Sequence, residues 1–525
     1  MTRTGKTLRF LVAGLCAAAL AAGCGGGGDV EISADNNSVV NDNSTNTGGG
    51  GSNNPCANYT DPATNTLRQG SFDGSNCNYT SDFVGENNPL TVDLTIPFIS
   101  GVHIFEDSLF VGENVDGTDP SVVPPAGGQG PTLRIRAGAT LAWTQANDYL
   151  LVNRGSQIIA EGSPTAPITL TGFSDAVLGS AGQFQTQLWG GLVLNGNGIT
   201  NKCSDSQRAN NGCHVVSEGK PSNYGGNDNA DNSGVLQYVV VKHAGFEVAP
   251  GDELNGITFN AVGSGTTVNN VQVYATYDDG VEFFGGAVSV SNLVALYVQD
   301  DSIDWADGWG GSVERALIIH APNEGQRCIE ADNQDPDFNA LPLSNGTVRN
   351  MTCIISANDA GIHGDAEGPL LRRGTLFAIE DSIIYDGYAR TLLSRSGNEC
   401  FEIDDSETRD RAQAGDSSVK SNLIVCEEPA VDSLNNGDSV LQWVLNTGTT
   451  PYPANTNNRV ITDSANPNVV VLDGFYTAPA FADETGTAFT VTAEGGGIIG
   501  AVSADDDWTE NWTFGLNDPS LWILP

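Results

Sequence analysis

Basic side chains are scarce in this sequence. Its 525 residues contain 22 Lys and Arg but 64 Asp and Glu, which gives a formal net charge of −42 at pH 7. A surface this acidic repels nucleic-acid phosphates and anionic lipid headgroups, so we expect no nucleic-acid partner. The same surface suits divalent cations and neutral or cationic ligands, although a high net charge also promotes solubility by itself.

The sequence also lacks the short motifs of several large enzyme classes. It contains no P-loop, no H-E-x-x-H, no complete G-x-S-x-G and no glycine fingerprint for dinucleotides after a strand. We therefore expect no organic cofactor. No C-x-x-C pair is present, which argues against a metal–thiolate site. Four of the five histidines stand apart from the acidic segments and are expected to be structural: His103, His214, His243 and His320.

The first 23 residues have the pattern of a bacterial export signal. Basic Arg3, Lys6 and Arg9 accompany an apolar run, Leu8 to Leu20, which is too short and too rich in alanine for a stable membrane span. An export signal predicts that the mature protein lies outside the cytoplasm.

The export signal ends in Leu20-Ala21-Ala22-Gly23-Cys24. This run resembles the lipobox of bacterial lipoproteins, which implies cleavage before Cys24 and acylation of its thiol by chains such as palmitate. An ordinary signal peptide that happens to precede a cysteine is the alternative. By the same resemblance, Gly25 in place of an aspartate favours the outer membrane. The periplasmic face and the cell surface both remain open.

Eight cysteines remain when Cys16 and Cys24 are set aside. An even number in an exported protein favours disulfides, and closeness in sequence is the guide to their pairing. The predicted pairs are Cys56–Cys77, Cys203–Cys213, Cys328–Cys353 and Cys400–Cys426.

Short apolar runs separated by Gly or Asn recur from Pro131 onward, at intervals of roughly 20 to 35 residues. The segment G-S-Q-I-I-A-E-G-S-P-T-A-P-I-T-L-T-G, Gly155 to Gly172, resembles a recurrent coil of right-handed parallel β-helix proteins. The predicted fold is therefore all-β, a right-handed parallel β-helix or solenoid. A β-sandwich is the rival fold, but it would need antiparallel hairpin turns of the N-G or D-G type, and these are few.

Several longer motifs resemble those of large bacterial surface and secreted proteins, some of which are lipoproteins. They are W-G-G at Trp189, Y-G-G-N-D at Tyr224, D-D-G-V-E-F-F-G-G at Asp278, D-D-S-I-D-W-A-D-G at Asp300 and D-D-W-T-E-N-W-T at Asp506. This resemblance implies a fold and a location, and it implies no activity.

These patterns divide the chain into five parts. After the signal (1–23), residues 24–55 are rich in Gly, Asn and Ser and are predicted to form a flexible tether. A small N-terminal region with one disulfide and a cap (56–130) precedes the β-helix (131–430). The final coils and a C-terminal cap (431–525) follow, in which Gly497 to Gly515 closes the last coil. Sugar binding by the aromatic residues of that segment is the alternative.

Two acidic blocks, Tyr277 to Gly286 and Asp300 to Gly311, place Glu282 and Asp304 22 residues apart. Aligning the coils on their branched residues, Ile257, Val281, Ile303, Ile329 and Ile362, predicts a column of outward neighbours, because successive strand residues point to opposite faces. The predicted column is Thr258, Glu282, Asp304, Glu330 and His363. Asp332 and Asp365 extend the same face, and Asp278, Asp279, Asp300, Asp301 and Asp307 lie beside it.

Stacked carboxylates need compensation, because two of them about 5 Å apart repel by about 3 kcal/mol at an effective dielectric constant near 20. A bound divalent cation, a protonated carboxyl or nearby arginines can each supply it. The arginines close in sequence are Arg327, Arg372, Arg373, Arg390 and Arg395. Hydrogen bonds from the acids to turn amides of neighbouring coils are the purely structural alternative.

Calcium is the cation that an Asp-rich face would prefer, because it takes hard oxygen ligands. The predicted ligands on this face are Asp278, Asp279, Glu282, Asp300, Asp301, Asp304 and Asp307. Asp228 and Asp231, in the loop Asn227 to Gly234, form a second candidate site that resembles a calcium loop. This loop lacks the terminal glutamate of an EF-hand, and an Asx-rich turn is its alternative.

Two functions follow from these features. The first is an outer-membrane or cell-surface lipoprotein that captures or adheres to a ligand, such as a glycan or an outer-membrane transporter, through a calcium-binding face. The second is a calcium-dependent polysaccharide lyase or glycoside hydrolase on the same face. Pectate-lyase-like β-helix enzymes, by resemblance of fold, carry calcium ligands and a base there, which would make His363 or an arginine the base. A hydrolase would use two of Glu282, Asp304 and Glu330. The absence of a catalytic motif favours the binding function.

Overall fold

The computed structural model describes residues 54–219, 222–356, 362–364, 366–390 and 399–516. The predicted signal, Cys24 and nearly all of the predicted tether lie outside this part of the chain, as do Asp365 and Arg395. None of the described helices is long and apolar enough to cross a membrane.

The described chain consists mainly of short strands. The N-terminal strands are β1 (Asn58–Asp61), β2 (Thr66–Gln69), β3 (Ser71–Phe72), β4 (Cys77–Tyr79), β5 (Leu94–Ile96), β6 (Val102–Phe105) and β7 (Leu109–Val111). The next strands are β8 (Thr132–Ile135), β9 (Thr140–Trp143), β10 (Tyr149–Val152), β11 (Gln157–Glu161), β12 (Ile168–Gly172), β13 (Gly191–Asn195), β14 (Val215–Val216), β15 (Asn223–Tyr224), β16 (Gly234–Lys242), β17 (Phe246–Ala249) and β18 (Asp252–Leu254).

The following strands are β19 (Ile257–Asn260), β20 (Thr267–Tyr274), β21 (Val281–Phe284), β22 (Val290–Leu296), β23 (Ile303–Ala306), β24 (Ser312–Ile319), β25 (Arg327–Ala331), β26 (Asn345–Ile354), β27 (Glu367–Leu371), β28 (Leu376–Glu380), β29 (Ile383–Tyr385), β30 (Glu402–Ile403), β31 (Ser418–Lys420) and β32 (Leu423–Val425). The last strands are β33 (Arg459–Ile461), β34 (Val470–Asp473), β35 (Tyr476–Ala482) and β36 (Ala488–Phe489). The helices are α1 (Phe173–Ala176), α2 (Asp205–Ala209), α3 (Ser406–Ala414), α4 (Val440–Val444) and one 3-10 helix (Gly387–Arg390).

Two long sheets of stacked strands form the body of the molecule. A nine-stranded sheet, called the ladder sheet below, runs in the order β7-β10-β13-β19-β21-β23-β25-β27-β30, and all of its pairs are parallel. The second, 18-stranded sheet is called the bent sheet. Each coil of the chain contributes to both sheets, so the predicted all-β parallel β-helix is confirmed.

The long strands of the bent sheet turn a corner at one residue per coil. At this position the backbone has a positive φ at Tyr238, Asn270, Asn292, Arg315, Asn350, Asp381 and Ser421. Asparagine tolerates this left-handed conformation better than most residues. The side chain of Asn292 also donates to Asn269 Oδ1 of the preceding coil at 3.1 Å. After the corner, inward residues such as Val271 alternate along the strand with outward positions such as that of Val294.

The interior of the coils is filled by aliphatic side chains and stacked aromatic rings. The rings of Trp143 and Trp189 lie 4.4 Å apart, and those of Phe283 and Trp309 lie 4.5 Å apart, all fully buried. Gly346 has no room for a side chain, because an added Cβ would lie 2.8 Å from the ring of Trp305. Inward branched and aromatic residues thus stack from coil to coil as the repeat predicts.

The cysteines join in the four pairs given by their closeness in sequence. The disulfides are Cys56–Cys77, Cys203–Cys213, Cys328–Cys353 and Cys400–Cys426. Cys328–Cys353 links β25 of the ladder sheet to β26 of the bent sheet. Three of the pairs lie in the main core of the β-helix, where they connect successive coil segments.

The β-helix begins earlier than the predicted boundary at residue 131. Strand β4 pairs in parallel with β6, and β6 pairs with β9, so residues from Cys77 onward already belong to the stack. The N-terminal region is therefore continuous with the coils, because its short strands share their inward core.

The segment Gly497 to Gly515 does not close the last coil, and that prediction is wrong. Trp512 and Leu516 pack against the outer side of the bent sheet, beside Tyr274 and Val294. Gln272 holds this segment through two hydrogen bonds. Its side-chain oxygen accepts from the backbone nitrogen of Phe514 at 2.6 Å, and its side-chain nitrogen donates to the carbonyl oxygen of Phe514 at 2.8 Å. The aromatic residues match the apolar outer face of the long strands, which would otherwise be exposed to water.

Candidate functional site

The acidic residues of the two blocks stack on the outward side of the ladder sheet. Parallel pairing places Thr258 beside Glu282, Glu282 beside Asp304, and Asp304 beside Glu330. The branched or aromatic residues on either side of them, such as Val281 and Phe283, point inward and are buried. The register that the sequence predicts for Thr258, Glu282, Asp304 and Glu330 is therefore confirmed.

His363 does not belong to this column, and that part of the alignment is wrong. The next position after Glu330 is Leu370, followed by Glu402. Ile362, which was aligned as an inward residue, is 59 % exposed, because the chain here is in a turn that precedes β27. His363 instead lies beside the acids of earlier turns, with Nδ1 3.0 Å from Asp300 Oδ2.

The acids form one connected group, called the acidic cluster below. Its members are Asp278, Asp279, Glu282, Asp300, Asp301, Asp304 and Glu330. Asp279 and Glu282 are each 6 % exposed and Glu330 is 7 % exposed, so these side chains are largely withdrawn from water. The predicted open acidic face is therefore a mostly buried cluster.

Two insertions cover the ladder sheet at this place. The chain between β13 and β16 brings Glu218 to the cluster, and the hairpin of β17 and β18 brings Asp252 and Glu253. The insertions hold each other, because the backbone nitrogen of Gly219 donates to Asp252 at 2.8 Å. Asn255, which follows the hairpin, donates to Glu282 Oε2 at 2.5 Å. Glu218 and Asn255 were missed in the sequence because they lie outside the repeating column.

Part of the cluster has a structural task. Asp279 Oδ1 accepts a hydrogen bond from the backbone nitrogen of Asp301 at 3.1 Å, and Asp301 Oδ1 accepts one from Arg327 at 2.9 Å. Each of these carboxylates thus ties one turn to the next, as in the structural alternative. Only one oxygen of each is used in this way.

Arginines compensate the charge at one end of the cluster. Arg327 lies 3.0 Å from Glu330 and 3.1 Å from Glu367, and Arg372 contacts Glu330 and also Asp332 at 3.0 Å. Arg373 adds a second contact to Asp332 at 2.6 Å. Nearby arginines therefore compensate the negative charges of Glu330 and Asp332, as one of the three predicted alternatives requires.

The centre of the cluster is not compensated in this way. Within the described ranges, no salt bridge reaches Asp279, Glu282 or Asp304. Burial raises the pKa of all three carboxyl groups well above the usual range, and neighbouring acids raise it further. Burial next to Glu253 and Asp252 also raises the pKa of Glu218 to about 7, although Lys202 opposes this.

The geometry of this centre fits a hard cation. One carboxylate oxygen each from Asp279, Glu282 and Asp304 lies within 4.8 Å of the others. The same holds for Asp301, Asp304 and Glu330, so Asp304 is common to both groups. Asp304 Oδ1 is buried and has no hydrogen-bond partner among the described residues. An unpartnered buried oxygen is costly, and a cation at this place would satisfy it.

The remaining predicted metal ligands have other partners. Asp307 lies 2.8 Å from Lys202 and accepts from the hydroxyl of Tyr224 at 3.3 Å, so a lysine already neutralises it. Asp231 accepts from the backbone nitrogen of Asn197 at 3.0 Å, and Asp228 accepts from Ala230 at 2.9 Å. The loop around Asp228 and Asp231 is thus an Asx-rich turn that lines a cavity of about 220 Å³.

The comparison with family models gives one result. The model described as the pectate-lyase-like β-helix domain matches residues 126–467, which include both acidic blocks and most of the coils. Neither the curated proteins nor the solved structures contain a match to the chain. The matched region covers well over half of the sequence, and the chain therefore belongs to the pectate-lyase-like β-helix domain family.

Proposed function

We propose that this protein is a calcium-dependent ligand-binding β-helix, in which Asp279, Glu282 and Asp304 hold the ion. The observation that carries the proposal is the unpartnered buried Oδ1 oxygen of Asp304, which lies within a triad of carboxylates. Two carboxylates about 5 Å apart repel by about 3 kcal/mol even at an effective dielectric constant of 20, so three ionised groups need a counter-ion.

Calcium suits the triad better than magnesium. Calcium accepts six to eight oxygen ligands in flexible geometry, and the triad with the nearby Glu218 side chain offers carboxylate oxygens. Three carboxylates leave coordination positions for a ligand. Hydroxyl and carboxylate oxygens of a glycan can fill them, and calcium then offsets the repulsion between an acidic glycan and the cluster.

Isothermal titration with Ca²⁺ tests this proposal on the purified mature chain. Wild type should bind Ca²⁺, whereas Glu282→Gln and Asp304→Asn should each weaken binding by about 10-fold or more, because each removes one charged ligand. Glu402→Gln is a matched control, because Glu402 lies in the same column beyond Leu370 and outside the cluster. Equal Ca²⁺ affinity of wild type and both cluster variants would refute the calcium site.

Cleavage of a polysaccharide is the second candidate function, and one feature of the cluster favours it. Glu282 and Asp304 are register neighbours with carboxylate oxygens within 4.8 Å of each other, which is nearer to the roughly 5 Å between the carboxyl groups of retaining glycosidases than to the wider spacing of inverting ones. Only Asp304 has an arginine, Arg372, that lowers its pKa against the effect of burial. In this scheme Glu282 would be the acid, and Asp304, next to Arg372, would be the nucleophile after it loses its proton.

A screen of acidic and neutral polysaccharides, with and without chelator, tests cleavage on wild type and Glu282→Gln. New reducing ends that appear with chelator present indicate a hydrolase, whereas an unsaturated product that requires Ca²⁺ indicates a lyase. Arg327 and Arg372 are poor candidates for a lyase base, because burial lowers their pKa but the charges of Glu330 and other neighbouring acids outweigh this and leave the pKa raised. The absence of product from wild type in every condition would reject the enzymatic function.

We also propose that a lipid on Cys24 attaches the protein to the outer membrane. The lipobox-like sequence supports this location. A glycan at the cell surface or an outer-membrane transporter is then the natural partner. Both partners would meet the cluster on the outward side of the ladder sheet.

A further inference from the structure

A second group of metal-ligand side chains lies beside the calcium triad. It consists of Asp278, Asp300 and His363, whose ligand atoms all lie within 4.8 Å of one another. The two aspartates occupy equivalent turns, one before β21 and one before β23, and His363 comes from the turn before β27. None of the three belongs to the triad of Asp279, Glu282 and Asp304.

Contacts from outside the group hold the imidazole in place. The ring of Tyr277 packs edge-on against His363, with 5.0 Å between the ring centres. The carbonyl oxygen of His363 accepts a hydrogen bond from Gln326 at 2.8 Å, which fixes the turn. A histidine that is oriented by an aromatic ring and by its own backbone has little freedom to leave the group.

Two atoms of the group are buried without a partner. His363 Nε2 and Asp300 Oδ1 are buried and make no hydrogen bond of good geometry among the described residues, although the backbone of Tyr277 lies close to the imidazole. The His363–Asp300 contact uses only the other atom of each side chain. Carboxylate oxygens of Asp278 and Asp300 also lie within 4.8 Å of each other, and a proton or a cation between them would offset their repulsion. An ion pair between His363 and Asp300 therefore leaves part of the group unexplained.

We propose that Asp278, Asp300 and His363 form a separate site for a divalent transition-metal ion such as Zn²⁺ or Mn²⁺. An imidazole nitrogen is a ligand that zinc and manganese accept, whereas calcium takes oxygens almost alone. Two carboxylates and one imidazole leave an open position on the ion. The protein then has two neighbouring metal sites of different chemistry on one face.

This site goes beyond the proposed calcium site and does not depend on it. Asp300 also lies within 4.8 Å of Asp279 and Asp301, so the two sites are close but have separate ligands. A transition-metal ion near the calcium ion would add a second positive charge to the cluster. An anionic group of a ligand could therefore contact both ions.

Titrations with Zn²⁺ alone and Ca²⁺ alone, and the visible spectrum of Co²⁺, test the proposal on the mature chain. Wild type should bind one transition-metal ion, and His363→Gln and Asp300→Asn should each lower Zn²⁺ affinity by about 10-fold or more and abolish the Co²⁺ ligand-field bands. His363→Gln should keep the Ca²⁺ affinity of wild type within about 3-fold, whereas Asp300→Asn, whose carboxylate lies within 4.8 Å of Asp279, should lower Ca²⁺ affinity less than it lowers Zn²⁺ affinity. His214→Gln is the matched control, because His214 contacts Arg154 and lies outside the group.

Zn²⁺ affinity that His363→Gln leaves unchanged would overturn the second site. So would a loss of Zn²⁺ binding in Asp304→Asn equal to that in His363→Gln, because the ion would then occupy the calcium triad. If Zn²⁺ binds through His363 while Ca²⁺ does not bind at all, the proposed calcium function fails and the second site stands. The melting temperature of each variant in chelator separates misfolding from a loss of ligands.

Discussion

At the scale of single residues, the acidic cluster divides into carboxylates that have a counter-ion and carboxylates that have none. Glu330 and Asp332 contact arginines, whereas Asp304 keeps a buried oxygen without a partner. The two kinds respond to mutation in opposite ways, because removing a compensated charge leaves its partner buried, whereas removing an uncompensated charge relieves repulsion.

This distinction predicts that replacing Arg372 lowers stability more than replacing a more exposed arginine such as Arg349. Replacing it by Met leaves Glu330 and Asp332 buried with fewer positive neighbours, so the free energy of unfolding should fall by about 3 kcal/mol or more. Arg349→Met is the control, because Arg349 is 41 % exposed and its pairs with Glu314 and Glu380 should contribute at most about 1 kcal/mol. Urea unfolding of both variants provides the measurement, and equal losses would contradict this account of the cluster.

Glu218 makes stability depend on pH. Its pKa is raised by burial to about 7 in the folded chain, against about 4.3 when unfolded. The folded state therefore keeps a proton that the unfolded state releases, and the stability this provides is lost as pH rises from about 4 to about 7. The melting temperature in chelator should fall between pH 5 and pH 8, and Glu218→Gln should reduce the fall by roughly 2 °C or more.

Two comparisons control this pH prediction. Glu510→Gln should leave the pH profile unchanged, because Glu510 is exposed on the C-terminal segment. Saturating Ca²⁺ should raise the melting temperature most at pH 8, where the carboxylates are ionised and compete least with protons. A wild-type melting temperature in chelator that rises from pH 5 to pH 8 would contradict the assignment.

At the scale of elements, the corner of the bent sheet depends on residues that accept a left-handed backbone. Asn292 has a φ of 57° and donates to Asn269 at 3.1 Å and to Asn270 at 3.3 Å. Equivalent corners recur at Asn270 and Asn350. The same side chain therefore contributes a tolerated conformation and a link between coils.

Replacing Asn292 separates these two contributions. Asn292→Ala should lower the free energy of unfolding by about 2 kcal/mol, because it loses about 1 kcal/mol of hydrogen bonding and adds about 1 kcal/mol of backbone strain. Asn292→Gly should cost less than Asn292→Ala, because glycine adopts positive φ without strain. Urea unfolding distinguishes them. If Asn292→Ala is the more stable of the two, conformational strain is not what selects asparagine at this corner.

The strands and their register could be predicted from the sequence where the repeat is local. Val281-Glu282-Phe283 and Ile303-Asp304-Trp305 are one short coil apart, and pattern alone aligns them. The alignment failed at His363, because the long connection between β25 and β27 places an exposed Ile362 where an inward residue was expected. Periodicity cannot measure the length of an irregular connection.

Burial of the cluster could not be predicted from the repeat either. Glu218 and the hairpin of β17 and β18 cover the column from insertions that lie outside the coil pattern. Their contacts, such as Gly219 to Asp252, join residues 33 positions apart with no periodic signal between them. The chemical types of the site residues were therefore predictable, and their environment was not.

At the scale of the whole molecule, the C-terminal segment covers part of the outer face of the bent sheet. Phe514 lies against Lys242, with Nζ 3.7 Å from the ring centre, and Lys242 pairs with Asp175 at 2.7 Å. Trp512 packs edge-on against Tyr238. This arrangement covers apolar side chains on the bent sheet.

Attachment by a lipid is the prediction that concerns the molecule as a whole. The acidic surface repels anionic headgroups, so electrostatic attraction cannot hold this protein on a membrane. Acyl chains on Cys24 can, because each buried CH₂ contributes about 0.8 kcal/mol and two chains give stable anchoring. Cys24→Ala should therefore move the protein from the membrane pellet to the soluble fraction after cell breakage. Cys16→Ala is the matched control, because Cys16 lies within the predicted signal and should leave the protein in the pellet. Retention of the Cys24→Ala protein on membranes would require another attachment, for which a surface of this charge offers no electrostatic basis.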